Sequence, residues 1–177
     1  FTTVSAPVEA GLRLLQLTPA QAFLPSDGRE MAVPAWRINA AIASAVMERF
    51  NGPRVIDYEH QTLHKEANGK PAPAAGWIKG LRWIEGQGLF AIADLTDKAR
   101  AAIDAKEYLY VSPVFLFHPQ TGEVLDIRMA ALTNDPGIRG MQALSAMQAA
   151  ATAKFSPAPS ISSTPSEEPM NPTLKAL

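Results

Sequence analysis

The chain has no cysteine. That excludes disulfides, thiolate catalysis and cysteine-ligated zinc, and it is compatible with a reducing compartment without requiring one. Charge of one sign is also lacking, since 16 Lys and Arg stand against 17 Asp and Glu for a net charge of -1. No whole-chain field can therefore hold phosphates or an anionic bilayer, and neither nucleic acid nor a membrane is expected as a partner. No apolar run approaches the roughly 20 residues that span a bilayer. A Gly-rich phosphate loop, an internal repeat and a G-x-S-x-G elbow are likewise absent from the sequence, and no cofactor is expected. What is present, 177 residues of which 47% are hydrophobic, suffices for one good core with tails. The first residue is Phe1 rather than Met, which leaves an upstream start and a removed targeting segment open.

Apolar periodicity predicts a strand over Leu12 to Leu17, then a loop marked by Pro25, Asp27 and Gly28. From Trp36 to Phe50 the positions Ile38, Ile42, Ala45, Val46 and Phe50 recur at helical spacing, and Asn51-Gly52-Pro53 ends the pattern. Strands are predicted at Val55 to His60, Gly76 to Ile84 and Leu89 to Leu95, separated by the turn formers Asn68-Gly69 and Gly86-Gln87-Gly88. Thr96 is placed to cap a short helix over Asp97 to Lys106. Tyr108 to Phe117 is apolar on both parities, the pattern of a central buried strand, and Gln120-Thr121-Gly122 turns it into an antiparallel partner at Val124 to Thr133. Met141, Leu144, Met147 and Ala151 mark a further helix. The expected fold class is α+β, with a β-rich barrel or sandwich-like core and flanking helices.

Between Phe155 and Pro172 the composition changes to five prolines and five serines in 18 residues, with almost nothing to bury. Three regions are expected on this basis: a domain over 1–154, a disordered linker over 155–172, and the beginning of a truncated region at 173–177.

The stretch Asp57-Tyr-Glu-His-Gln-Thr-Leu-His-Lys-Glu66 carries two of the three histidines. His60 and His64 imitate the H-E-x-x-H zinc signature, yet Gln61 stands where its Glu belongs, and an amide cannot take a proton from water. A metal hydrolase using His60 and His64 is therefore the weaker alternative. On an extended strand His60 shares the apolar face with Ile56 and Tyr58, while Asp57 and Glu59 fall on the other, solvated face. Taken alone, such a histidine reads as a hydrogen-bonded structural residue. In Glu107-Tyr-Leu-Tyr-Val-Ser-Pro-Val-Phe115, Ser112 interrupts an apolar strand just before Pro113, which confines Ser112 to extended geometry and removes a ladder donor. The residues alone leave two readings even: a nucleophile at an opening in the ladder, or a hydroxyl that satisfies the disturbed backbone.

The ordered set V55-I-D-Y-E-H-Q, A75-G-W-I-K-G-L-R-W, G88-L-F-A-I-A-D-L-T-D-K-A-R-A-A-I-D-A-K-E-Y-L-Y-V-S-P-V-F and V124-L-D-I-R-M-A-A-L-T-N-D-P-G-I resembles the prohead proteases of Mu-like phages and prophages over residues 10 to 150. Those are similar, more distantly, to the herpesvirus assemblin serine proteases. The resemblance implies an assemblin-like fold in which Ser112 is the nucleophile and His60 its base. The third member of the wider group would fall near Met129 or Ala130, neither of which can orient an imidazole. If the Gln120 to Gly122 turn sets the register, Ser112 lies opposite about Ala130, so Asp126, the nearest acid, is about 13 Å along the strand from that position, and His118 is about 20 Å from Ser112. Only a dyad is expected, with His64 left open as an orienting group against its plainer reading as a solvated loop residue. Implied function is a serine endopeptidase of capsid maturation, in the host cytoplasm inside the assembling procapsid. Implied partners are scaffold protein, major capsid protein and the chain itself as substrate, with homo-oligomerisation left open. A non-catalytic assembly or scaffolding factor is the rival reading. In Mu-like phages a scaffolding region follows the protease in the same chain, so the resemblance makes Met170 a candidate internal start, against its plainer reading as an ordinary methionine at a helix entrance.

Overall fold

A computed structural model describes residues 8–147 of the chain. In chain order the elements are β1 (Leu12–Thr18), β2 (Gln21–Phe23), β3 (Trp36–Ile38), α1 (Ala40–Arg49), β4 (Arg54–Tyr58), α2 (Gln61–Asn68), β5 (Gly76–Ile84), β6 (Gly88–Leu95), α3 (Asp97–Asp104), β7 (Tyr110–Phe117) and β8 (Val124–Thr133). Six strands form one sheet in the order β1-β6-β5-β4-β8-β7, and β2 pairs with β3 in a separate hairpin. All neighbours are antiparallel except β4 and β8, which run parallel.

The sheet curls until its edge strands β1 and β7 approach each other. It encloses Leu17, Ile56, Ile78, Leu89, Ile127 and Leu132, all at 0% exposure. Burying each such side chain contributes about 1.5–3 kcal/mol relative to leaving it in water, which is the main reason the sheet closes. Helix α1 lies over β8 and β5, with Ala43 and Val46 buried beneath it. The α+β class with a β-rich core and flanking helices is thus the observed one, in a curled, half-barrel form.

Several boundaries differ from the expectation. Trp36 to Ile38 is a strand rather than the first turn of a helix, because the Asn39 side chain accepts from the Ile42 amide and starts α1 there. Helix α3 is capped by Thr96 as expected but ends at Asp104. Strand β7 is an edge strand, not a central one, and this suits Pro113, whose missing N–H removes no bond on an unpaired side. Its second apolar parity is explained by the β2-β3 hairpin, whose Trp36 meets Phe115 edge-on at 5.1 Å. The continuously buried strand is β8, enclosed between β4 and β7, with every residue from Met129 to Thr133 buried. After β8, residues 144–147 form a helical turn at the start of the predicted Met141 to Ala151 helix. The remainder of that helix, the linker at 155–172, the region at 173–177 and Met170 lie outside the described residues.

Candidate active site

Strand β4 ends at Tyr58, two residues short of the predicted His60, because the backbone turns left-handed at Glu59 (φ 53°) and His60 (φ 56°). Each such conformation costs a non-glycine residue about 1–2 kcal/mol, so the turn has to be held from outside. Glu59 supplies two ties to β8: its amide donates to the Leu132 carbonyl at 3.0 Å, and its carboxylate accepts from Thr133 Oγ1 at 2.9 Å. The stretch predicted as loop then becomes α2, with His60 as N-cap residue and left-handed Gly69 closing its far end. The His60 side chain makes no capping bond. Asp57 serves instead, accepting from the Thr62 amide at 2.7 Å. Asp57, expected on a solvated face, is fully buried, whereas Glu59 is exposed as expected yet bonded. The face assignment fails for Asp57 because β4 is covered on both sides and the chain leaves the strand before His60.

Ser112 sits in β7, 3% exposed, directly across from Ala131 of β8 rather than the expected Ala130. Two bulges in the β7-β8 ladder shift the register. The segment after β8 folds back over Ser112. Thr133 Oγ1 accepts from the Asp135 amide at 3.1 Å, Ser26 donates to the Pro136 carbonyl at 2.6 Å, and the Ser26 amide donates to the Gly137 carbonyl at 3.0 Å. So anchored, the Gly137 N–H donates to Ser112 Oγ at 3.2 Å. An N–H on the oxygen fixes the hydroxyl as an acceptor and leaves its own proton free for a base.

His60 and Ser112 line the same open cleft of about 570 Å³, together with His64, Phe115, Asp135 and Gly137. Leu63 and Phe117 also line it and are 55% and 38% exposed, giving the cleft an apolar border. Partial burial pushes the His60 imidazole below its ordinary value of 6.5, and the nearby His64 adds to this, while the Asp57 and Glu59 carboxylates oppose it. The net effect favours a neutral ring, the form able to accept a proton. His60 Nδ1 is buried without a hydrogen-bond partner.

The other candidates stand apart. His118 uses Nδ1 to accept from the Gln120 and Thr121 amides in the β7-β8 turn, each at 3.3 Å. Asp126 pairs with Arg128 at 3.1 Å and lies opposite Leu116. His64 is exposed on α2. Among the described residues no group of three or more His, Cys, Asp or Glu is placed to hold a metal ion, so His60 and His64 have no third ligand. Gly137 was not foreseen, and its only sequence signal is the Pro136-Gly137 turn following a strand that pairs with the serine strand. Asp57 was misplaced, although an acid set between Ile56 and Tyr58 in an apolar strand is a signal that a buried carboxylate has local work.

A curled β-rich domain that brings a buried hydroxyl, a backbone N–H and a neutral imidazole to one cleft has the parts of an acyl-transfer enzyme. Residues 15–145 match the model of the family described as Mu-like prophage I protein, N-terminal domain, and the chain belongs to that family. It is 42% identical over 144 residues to Protease I of Escherichia phage Mu, covering 76% of this chain and 40% of that protein. It is 37% identical over 145 residues to the Mu-like prophage FluMu I protein of Haemophilus influenzae, covering 76% of this chain and 41% of that one. The chain therefore spans about two-fifths of the length of these curated relatives. No solved structure matches it.

Proposed function

We propose that this domain is a serine endopeptidase of phage capsid maturation, acting inside the assembling procapsid on scaffold protein, the major capsid protein and its own chain. The name Protease I of the phage Mu relative supports the hydrolytic reading. The observation that carries the serine type is that Ser112 and His60 line one cleft, with Ser112 Oγ already accepting from Gly137 N–H. His60, neutral, takes the Ser112 proton on Nε2 as Oγ attacks the substrate carbonyl. The oxygen of that carbonyl gains the negative charge, and the Gly137 N–H, beside Oγ, is the donor assigned to it. Collapse expels the amine with the proton from His60 and leaves an acyl-Ser112. Water, deprotonated by the same imidazole, then releases the acid.

Substrate entry is compatible with the fold, since β7 is an edge strand to which an extended peptide can add its backbone. Apolar side chains of such a peptide would meet Phe115, Phe117 and Leu63. A fluorophosphonate probe tests the assignment: labelling at Ser112, lost in Ser112→Ala and suppressed in His60→Ala, is expected. Neither change should add to the other, because each alone disables the same proton transfer. Cleavage that persists in Ser112→Ala, or that is abolished by a chelator, overturns the reading.

A further inference from the structure

Resting on the site just proposed, we infer that Asp57 is its third member, a positioning residue whose carboxylate accepts the Nδ1 proton of His60. The first observation is a pair of orphans. Asp57 Oδ2 is bonded to the Thr62 amide, but Oδ1 is buried with no partner, and His60 Nδ1 is buried with no partner three residues away. A buried acceptor and a buried nitrogen left unmade are each costly, and one hydrogen bond between them relieves both. The left-handed pair Glu59 and His60 turns the chain at the strand end, and the imidazole is near enough to Asp57 to feel its carboxylate.

The second observation is register. Ser112 pairs with Ala131 on β7 and β8, and Ala131 pairs with Asp57 on β8 and β4. Residues in one cross-strand row project from the same side of a sheet, so Ser112 and Asp57 face the same way, two strand spacings or about 10 Å apart. An imidazole with a hydrogen bond at each nitrogen spans a gap of that order. The residue between them is a fully buried alanine, Ala131, whose methyl fills little of the gap between the two side chains. Asp57 thus sits at one end of the row and the nucleophile at the other.

Rival acids fit less well. Asp126 also has a buried Oδ1 without a partner, but it lies opposite Leu116, four residues along β7 from Ser112, with its other oxygen on Arg128, and Glu59 is bonded to Thr133. Asp135 lines the cleft but belongs to the segment that clamps Ser112, and it is exposed. The charged and titratable groups that act on His60 are Asp57 and Glu59 on its own segment and His64 on α2, while Asp135 and Arg29 line the same cleft. Among those that favour its protonated form, Asp57 has the largest effect.

Asp57→Asn in the full chain separates positioning from helix capping, because the amide oxygen still accepts from Thr62 while the charge is gone. Cleavage should fall by about 10²- to 10⁴-fold in kcat with little change in KM, as when a triad acid is neutralised. The acid limb of kcat/KM should move to lower pH, since the group that most favours imidazolium has been removed. Asp126→Asn, outside the cleft, should as control leave that limb in place. Near wild-type kcat in Asp57→Asn, with an unmoved limb, overturns the inference. If that variant does not fold, nitrogen-15 NMR of the wild-type chain decides. Neutral His60 protonated at Nδ1, with a slowly exchanging downfield proton, supports the role, and the tautomer bare at Nδ1 overturns it. Ser112→Ala keeps the two readings distinct: if it still cleaves, the serine site itself is wrong, whereas a dead Ser112→Ala beside a fully active Asp57→Asn rejects Asp57 alone.

Discussion

A partly desolvated imidazole resists protonation, and His60 carries two consequences of that. In catalysis, the acid limb of kcat/KM for the free enzyme should lie below pH 6.5, the ordinary histidine value from which burial lowers it. A limb above 6.5 on a neutral peptide substrate would mean that the carboxylates of Asp57 and Glu59 outweigh desolvation. In stability the sign follows from proton counts: the folded state has the lower pKa, so between the two values the unfolded chain binds more protons. The contribution is intact above the unfolded value of about 6.5 and is lost as pH falls through the folded one. His60→Gln should therefore flatten the dependence of the urea midpoint on pH in that window. Gly137 poses a different residue-scale test. A Cβ there would stand 3.4 Å from Ser112 Oγ, close enough to crowd the nucleophile but not to break the fold. Gly137→Ala should lower kcat by about 10-fold or more while the unfolding midpoint stays within about 0.5 kcal/mol, because misplacement of reacting atoms costs rate before it costs packing.

The turn between β4 and α2 is the element on which the site depends. Both Glu59 and His60 adopt a conformation that glycine takes freely, and neither is glycine. Comparing Glu59→Gly with Glu59→Ala isolates the backbone cost, since both variants lose the bond to Thr133. The glycine variant should be more stable by about 1 kcal/mol in urea unfolding, and equal stabilities would show that the left-handed turn carries no strain. This element was also the least legible in the sequence. Gln61–Asn68 carries a single large apolar side chain, Leu63, which is exposed, so no apolar stripe announces a helix. By contrast β5, β6 and β8 were readable from apolar runs bounded by turn residues, because burial and turn chemistry pointed the same way there. The position of Ser112 was readable as the polar break before Pro113. Its exact partner was not, since the ladder registers as expected at Phe115 and Leu116 and slips by one beyond the bulge at Val114. Asp57 was hidden for a related reason: parity assigns a face only while a strand stays extended and only where one face is wet.

At the scale of the molecule, the cleft is assembled from residues far apart in the chain, from Arg29 to Ile138, and it exists only when the sheet is closed. The segment after β8 helps to close it. Leu144, 3% exposed, donates its amide to the Leu109 carbonyl at 2.8 Å, and the Gln142 amide donates to Oε1 of Gln16 at 2.7 Å. Gln16 is itself buried, and its Nε2 reaches the Gln87 carbonyl at 3.0 Å, so one side chain ties the segment to β1 and to the β5-β6 turn. A chain ending at Lys154 retains all of these contacts and should unfold in one cooperative step with the same midpoint and the same peptide cleavage as the full chain. A chain ending at Gly140 should lose about 3–6 kcal/mol, the burial of Leu144 together with a buried Gln16 acceptor left unpaired. For a domain of this size that is a large part of the whole. Urea titration followed by cleavage of one scaffold-derived peptide distinguishes the two truncations. If the Gly140 chain matches the Lys154 chain in both measurements, the segment after β8 is an accessory rather than the closing edge of the domain. If the Lys154 chain is already inactive, residues beyond it contribute to the enzyme itself.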